Sequence, residues 1–198
     1  YIPDHTEDRA YRFFREAGTC RYILKPDSEA FGRGISFLYV EEDTFTIEGT
    51  EERYQGRDGF HVLYDRLKQK NILAEEYIKQ HEGMNNLFSN CVNTLRIHTV
   101  FLPSGHAETA GFSSMICGWG NSRHSNEVKN IRIGINPDGT LFPCGFLQTC
   151  DAYGYKHISQ ATRHPDTGIL FEKFRIPYWK EALKLADIYG TPPAAVKP

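Results

Sequence analysis

A lysine followed by a glycine-bearing loop is the first group of residues here that can do chemistry. Lys25 closes the apolar segment RYILK, and the polar stretch after it contains Gly32 and Gly34. A strand fixes the position of its last lysine, and glycines let backbone N–H groups approach phosphate oxygens because no Cβ intervenes. The lysine adds a cation for a polyphosphate. The stretch predicts a phosphate-covering loop, and a strand-capping lysine with a flexible turn is the structural alternative.

Two common nucleotide-binding motifs are absent from this stretch. The pattern G-x-x-x-x-G-K-[ST] of P-loops does not occur. The dinucleotide fingerprint is also missing, because no third glycine and no helix follow in the required places.

A second group lies in ILAEEYIKQHEG, residues 72–83. An adenine ring needs a hydrogen-bonding backbone edge between apolar surfaces, which a strand that enters a hinge supplies. We expect the C=O near Glu76 to accept from the adenine N6 and the N–H near Ile78 to donate to N1. Glu82 is placed to accept from the ribose hydroxyls. Strand geometry sends Glu75 and Glu76 to opposite faces, and a charged helix start is the alternative for this segment.

Arg96 lies in the alternating segment TLRIHTVFL, between Leu95 and Ile97. In a strand it faces the opposite side from both neighbours. An arginine that points into a cleft binds phosphate, and an exposed strand arginine is the alternative. The eight histidines show no metal-ligand spacing.

Composition excludes several classes of function. The chain has 198 residues, a net charge of −2, 40% hydrophobic and 24% charged residues, as in ordinary globular proteins. No basic stripe favours a nucleic-acid partner, and no apolar run approaches the roughly 20 residues that span a bilayer. Five cysteines without a C-x-x-C pair argue against a disulfide framework and predict a cytoplasmic protein.

Periodicity predicts an α/β (α+β) fold with helices at 7–17, 58–70 and 178–190. Strands are expected in both halves, and the hairpin signal Pro-Asp-Gly at 137–139 joins two of them. Residues 150–168 are predicted to be loop. A boundary near residue 74 would separate a strand-helix lobe from a strand-rich lobe.

The segments ILKPDSEAFGRGI, LAEEYIKQHE and NTLRIHT occur in this order, and their order and spacing resemble the ATP-grasp superfamily. The nearest variety is the sugar-transfer-associated ATP-grasp proteins, with broader similarity to ATP-dependent glutamate ligases. The later RHPDTGILFEKFRIPYW is similar to the same group, and the resemblance runs from about residue 22 to 186.

The resemblance implies a partial ATP-grasp fold of mostly antiparallel sheets with flanking helices. Residues 1–74 would form a lid-like subdomain, and residues 75–198 would form part of the large nucleotide-binding lobe. The metal-binding strands that follow in this group are expected to be absent from the chain, which ends at Pro198.

The resemblance also implies roles for single residues. Lys25 would contact the α- and β-phosphates, the glycines would form the lid loop, and the hinge would hold adenine and ribose. The residues so assigned to ATP are Lys25, Gly32, Gly34, Glu75, Glu76, Tyr77, Ile78 and Glu82. Arg96 would face the γ-phosphate or an acylphosphate with Asn93 beside it, and Asn126 would lie near the transferred phosphoryl group.

The implied activity is an ATP-dependent carboxylate–nucleophile ligase that acts through an acylphosphate. Its partners would be ATP with Mg²⁺ and a small-molecule, peptide or sugar acceptor, in the synthesis of cell-surface conjugates. A nucleotide-binding module without metal chemistry is the alternative, and a protein-interaction domain is a third.

Two departures from the family pattern bear on the chemistry. Ile116 stands near a position where the family usually has an arginine, which removes a cation from the developing phosphate charge. Asp138 and Asp166 do not supply the usual magnesium arrangement, so the sequence identifies no magnesium ligands.

Overall fold

A computed structural model describes residues 6–16, 18–27, 34–69, 71–123, 129–151 and 155–190. The chain divides into two compact units, Tyr1–Ile78 and Lys79–Pro198. The division falls later than residue 74 because the strand there pairs inside the first unit.

The first unit places helices on an antiparallel sheet. Its elements are α1 (Glu7–Glu16), β1 (Cys20–Pro26), β2 (Ser36–Glu41), β3 (Thr44–Ile47), β4 (Arg53–Gln55), α2 (Gly56–Gln69) and β5 (Ile72–Glu76). The described strands lie in the order β4-β3-β2-β1-β5. β1 is therefore an inner strand with β2 on one side and β5 on the other.

An aromatic core fixes β1. Tyr22 and Leu24 point inward from this strand and are buried against Phe14 of α1 and Phe60 of α2. The rings of Phe14 and Tyr22 meet edge to face with centroids 4.7 Å apart, a favoured aromatic geometry. The alternate residues of β1, including Lys25, consequently face away from this core.

The second unit is built on a longer antiparallel sheet. Its elements are α3 (Glu82–Leu87), β6 (Thr94–Phe101), β7 (Ala107–Gly118), β8 (Asn130–Ile135), β9 (Leu141–Cys150), β10 (Lys156–Ala161), a 3₁₀ turn at Phe171–Lys173, and α4 (Trp179–Gly190). The described strands lie in the order β10-β9-β8-β7-β6.

One face of this second sheet is covered, and the other, the open face, is exposed except around Ile116 and Asn130, which are buried. Met115, Ile131 and Ile133 are buried on the covered face with Trp179 of α4 in one apolar cluster. The alternate residues form the opposite face, where Phe112 and Phe146 are exposed. Such one-sided burial is typical of antiparallel sheets.

The α+β class with mostly antiparallel sheets is confirmed, as are the three predicted helices and the β8–β9 hairpin. The prediction of loop at 150–168 is wrong, because Lys156–Ala161 forms β10 and pairs with β9. This strand lies at the sheet edge with nearly every residue exposed, so its sequence lacks apolar alternation. None of the helices in the described part of the chain has the length and apolarity that crossing a bilayer requires.

Candidate nucleotide-binding site

The first unit brings two of the predicted nucleotide-binding residues together. Lys25 on β1 lies opposite Leu73 of β5, and its Nζ donates to Glu75 Oε2 on the same face. The two side chains are 38% and 44% exposed. The ammonium group is therefore positioned by the sheet and by a carboxylate, and it remains open to a ligand from solvent.

The hinge that follows β5 is anchored to β1. The N–H of Tyr77 donates to the carbonyl oxygen of Arg21 at 2.8 Å. The Arg21 guanidinium lies 4.2 Å from the centroid of the Tyr77 ring and 4.5 Å from that of Phe37. Glu76 is exposed at the strand end, and the Ile78 side chain is 70% exposed. The hinge residues thus leave an apolar side chain facing solvent beside the Lys25–Glu75 pair.

Arg21 is a site-positioning residue that the sequence interpretation missed. Its Nε and Nη2 donate to the two carboxylate oxygens of Glu48, each at 2.6 Å. This bidentate pair holds the guanidinium flat over Tyr77. The alternation of β1 carried the signal, since Arg21 and Lys25 share one face of the strand.

The glycine loop is only partly described. Gly34 ends it with φ of 70°, and an added Cβ would lie 2.9 Å from Cγ of Pro26, so glycine is required there. The predicted residues Gly32 and Asn126 lie outside the described residues. Of the residues near Asn126 that the structure describes, Ser122 donates from its hydroxyl to the carbonyl oxygen of Lys129 at 2.8 Å.

In the second unit Asn93 is buried, and its side-chain amide forms hydrogen bonds to the segment that precedes it in the chain. Its Nδ2 lies 3.0 Å from the carbonyl oxygen of Phe88, 3.2 Å from that of Met84 and 3.2 Å from Gln80 Oε1. Three acceptors thus share the two amide hydrogens. Asn93 therefore positions the backbone that leads into β6 rather than offering its amide hydrogens to a ligand.

Gln80 is a second residue that sequence interpretation missed. Its Nε2 donates to the carbonyl oxygen of Phe88 and to Asn85 Oδ1, both at 2.8 Å, while its Oε1 accepts from the Asn93 N–H at 3.0 Å. A single glutamine in a polar segment gives no sequence signal for such a network. Its effect is to fix the start of the unit next to Glu82.

Glu82 is exposed at the first position of α3. His81 caps this helix, because its Nδ1 accepts from the Gly83 N–H at 3.0 Å. A carboxylate in the first turn is favourable near the partial positive charge of the helix start. The ribose role of Glu82 and the charged helix start are both compatible with this position.

Arg96 lies opposite Ser114 of β7 on the exposed face of β6. Leu95 and Ile97 pack on the covered face, which confirms that Arg96 points away from both neighbours. Its side chain makes no hydrogen bond or ion pair with any described residue.

Hydrogen bonds hold the H-P-D-T-G loop, residues 164–168, to neighbouring segments, and we call this loop the clasp. His164 is fully buried, its Nε2 donates to the Gly118 carbonyl oxygen at 2.9 Å, and its ring stacks on Phe88. Burial lowers the pKa of His164 below its ordinary value, so the ring is neutral near pH 7. Asp166 Oδ2 accepts from the Gly120 N–H at 2.6 Å, and Thr167 Oγ1 donates to the Leu87 carbonyl oxygen at 3.2 Å.

A magnesium site does not form from the described residues. Over those ranges no three His, Cys, Asp or Glu side chains converge as a metal site requires. Asp138 accepts from Thr140 Oγ1 at 2.7 Å, which lowers the pKa of Asp138, and it pairs with Arg175 at 3.0 Å. Its carboxylate is thus engaged in a turn.

Comparison with known proteins shows which family the chain belongs to. A family model described as sugar-transfer associated ATP-grasp matches residues 4–191. The chain is also similar to the UDP-N-acetylenolpyruvoylglucosamine reductase of Chlamydia felis (strain Fe/C-56), at 30% identity over 140 residues, which cover 66% of this chain and 46% of that protein. The chain thus matches about half the length of this relative. No solved structure matches the chain.

Proposed function

Because the chain belongs to the sugar-transfer associated ATP-grasp family, we propose that it binds ATP and uses it to join a carboxylate to an amine or similar nucleophile. A carboxylate oxygen attacks the γ-phosphorus, the bond to the β-phosphate oxygen breaks, and ADP leaves. The nucleophile then attacks the acyl carbon, inorganic phosphate leaves, and a proton passes from the amine to solvent. The reaction forms an amide and hydrolyses one phosphoanhydride overall.

The observation that carries this proposal is the Lys25–Glu75 pair beside the hinge at 76–78. Lys25 supplies a fixed cation for the α- and β-phosphates. The hinge supplies backbone groups and the exposed Ile78 surface for adenine. Glu75 holds the ammonium group in place until a nucleotide shares it.

The remaining residues are proposed to act on other parts of the nucleotide. Glu82 accepts from the ribose hydroxyls, and Arg96 neutralises the transferred phosphoryl group. Asn93 positions Arg96 by fixing the backbone ahead of β6. The loop that contains Gly32 and Gly34 covers the phosphates and excludes water, and Asn126 completes the phosphoryl site.

Magnesium is proposed as the companion ion of ATP, and none of the described residues is assigned to it. The acceptor is proposed to be a sugar or peptide used in cell-surface conjugates. All five cysteines are thiols, as suits the reducing, ATP-containing cytoplasm that we propose as the location.

The second candidate function is a nucleotide-binding module without catalysis. Two features favour it: no group of three metal-ligating side chains forms among the described residues, and Ile116 stands where the family resemblance implies an arginine. A reductase activity is not proposed from the similarity to the Chlamydia felis protein, because the match covers only 46% of that protein.

Titration calorimetry of the whole chain with ATP and GTP, each with and without Mg²⁺, tests the proposal. The ligase account expects ATP to bind more tightly than GTP and to bind more tightly with Mg²⁺. It also expects ADP and phosphate to be released when a suitable carboxylate and amine are supplied. Mg²⁺-independent binding without turnover supports the module, and absence of ATP binding overturns both.

A further inference from the structure

The open face of the second sheet carries two arginines on alternate strands. Arg96 of β6 lies opposite Ser114 of β7, and Ile116 of β7 lies opposite Arg132 of β8. Both arginines are exposed, and the half-buried Ser114 and buried Ile116 lie between them. We name the surface formed by Arg96, Ser114, Ile116 and Arg132 the arginine face.

Sheet geometry sets the separation of the two arginines. One intervening strand places their backbones about 10 Å apart across the sheet, and the register offset of two residues adds about 7 Å along it. Their Cα atoms are therefore about 12 Å apart. Two long side chains that lean toward Ser114 from opposite sides can both reach one phosphate group held above β7.

Neither arginine is neutralised by the described part of the protein. The side chains of Arg96 and Arg132 make no ion pair or hydrogen bond with any described residue. Other described arginines do pair with carboxylates: Arg15 with Asp43, Arg21 with Glu48, Arg57 with Asp8, Arg66 with Glu52, and Arg175 with Asp138. Two unpaired like charges on one face raise the local potential and attract an anion.

The surroundings of the arginine face limit what that anion can be. Ser114 offers a hydroxyl donor next to Arg96, and no acidic side chain lies in the described rows of Arg96 and Arg132 across β6–β9. Gly134 stands opposite Ser114, and the Phe142 ring covers it so closely that an added Cβ would lie 2.7 Å from that ring. Planar guanidinium groups bind phosphate oxygens in pairs, which suits a phosphoryl group with several free oxygens.

We propose that Arg132 is a second phosphate-binding residue of the ATP site, which contacts the terminal phosphates of ATP from the side of β7 opposite Arg96. This inference rests on the proposed function. Arg132 is the direct cross-strand partner of Ile116. Its side chain therefore lies on the same face of the sheet as Arg96, two strands away.

In the reaction, Arg132 and Arg96 share the negative charge on the γ-phosphoryl oxygens while the bond to the β-phosphate oxygen breaks. No proton is transferred by either arginine, since guanidinium groups stay charged throughout. AMP carries no terminal phosphates, so its binding does not involve Arg132.

The test compares ATP and AMP affinities of the whole chain by calorimetry. Arg132→Ala is expected to weaken ATP binding by at least about tenfold, in line with loss of a charge-assisted hydrogen bond, and to change AMP affinity less than about twofold. Arg132→Lys keeps the charge without the planar fork and is expected to fall between. Arg163→Ala removes an exposed arginine of the same unit that lies outside β6, β7 and β8 and should change neither affinity.

A relocation variant separates position from general charge. Ile116→Arg combined with Arg132→Ile moves the cation back by one strand, and it is expected to recover most of the lost ATP affinity. Thermal unfolding confirms that each variant is folded. If the wild type binds ATP and Arg132→Ala binds it with the same affinity, this inference is wrong and the proposed function is unaffected. An equal loss of affinity for ATP and for AMP in Arg132→Ala also overturns this inference alone. A wild type that does not bind ATP overturns the proposed function as well.

Discussion

At the scale of single residues, Asn93 and Arg96 have opposite surroundings, because the Asn93 amide is buried and hydrogen-bonded whereas the Arg96 side chain is exposed. The sequence placed Asn93 three residues before Arg96 and suggested a role beside it. It could not show which atoms the amide meets, because the carbonyl groups of Met84 and Phe88 reach Asn93 only through the fold. The orientation of Arg96 was predictable, since alternation alone sets it.

Asn93→Ala should lower the free energy of unfolding by about 1–3 kcal/mol, because it removes the hydrogen bonds that a buried amide donates to the carbonyl groups of Met84 and Phe88. Urea denaturation measures this change. Asn86→Ala, at an exposed position of α3, serves as the control and should have little effect. An Asn93→Ala protein of normal stability that has lost ATP turnover would instead show a direct chemical role.

Glu82→Ala should weaken the binding of ATP several-fold and leave the binding of dideoxy-ATP unchanged, because the carboxylate is proposed to accept from the ribose hydroxyls. Calorimetry with both nucleotides measures the difference. Glu181 occupies the first turn of α4, so Glu181→Ala controls for the loss of an acidic residue near a helix start. Equal weakening of both nucleotides would remove the ribose assignment.

At the scale of elements, strands with one buried face were predictable and an exposed edge strand was not. β6 lies within the alternating segment TLRIHTVFL, and the alternation places Leu95 and Ile97 together on the covered face. β10 was missed because an exposed edge strand needs no apolar face. The H-P-D-T-G segment was predicted only as loop, because the burial of His164 depends on Phe88 and Gly118, which are distant in sequence.

Because His164 of the clasp is buried, the stability of the protein should depend on pH. His164 has a lowered pKa in the folded chain because burial disfavours its charged form, whereas the unfolded chain protonates near its ordinary value of 6.5. The unfolded state therefore binds more protons as pH falls below 6.5, and the free energy of unfolding should decrease there. Above this pH the contribution of His164 should be constant.

Urea denaturation between pH 5 and 8 measures this effect as the difference between wild type and His164→Gln. Subtraction is needed because Glu7 raises the pKa of His61, which adds stability at low pH with the opposite slope. His98→Gln, at an exposed position, controls for histidine removal. A His164→Gln protein with the same dependence on pH as the wild type would contradict a buried neutral ring.

At the scale of the whole molecule, each unit has its own apolar core and its own sheet. The lysine-glycine stretch and the acidic hinge segment were found in sequence as separate signals. The pairing of these two segments could not be predicted from either signal, because β2, β3, β4 and α2 lie between β1 and β5 in the sequence. That pairing brings the Lys25 ammonium group to Glu75, beside the hinge.

The most direct test of the proposed nucleotide site is the affinity of Lys25→Ala for ATP, measured by calorimetry. The variant should bind ATP at least several-fold more weakly than the wild type, since a charge-assisted contact is worth about 1.5–3 kcal/mol. Lys68→Ala, which removes an exposed lysine from α2, should bind ATP like the wild type. Unchanged ATP affinity in Lys25→Ala would contradict the account.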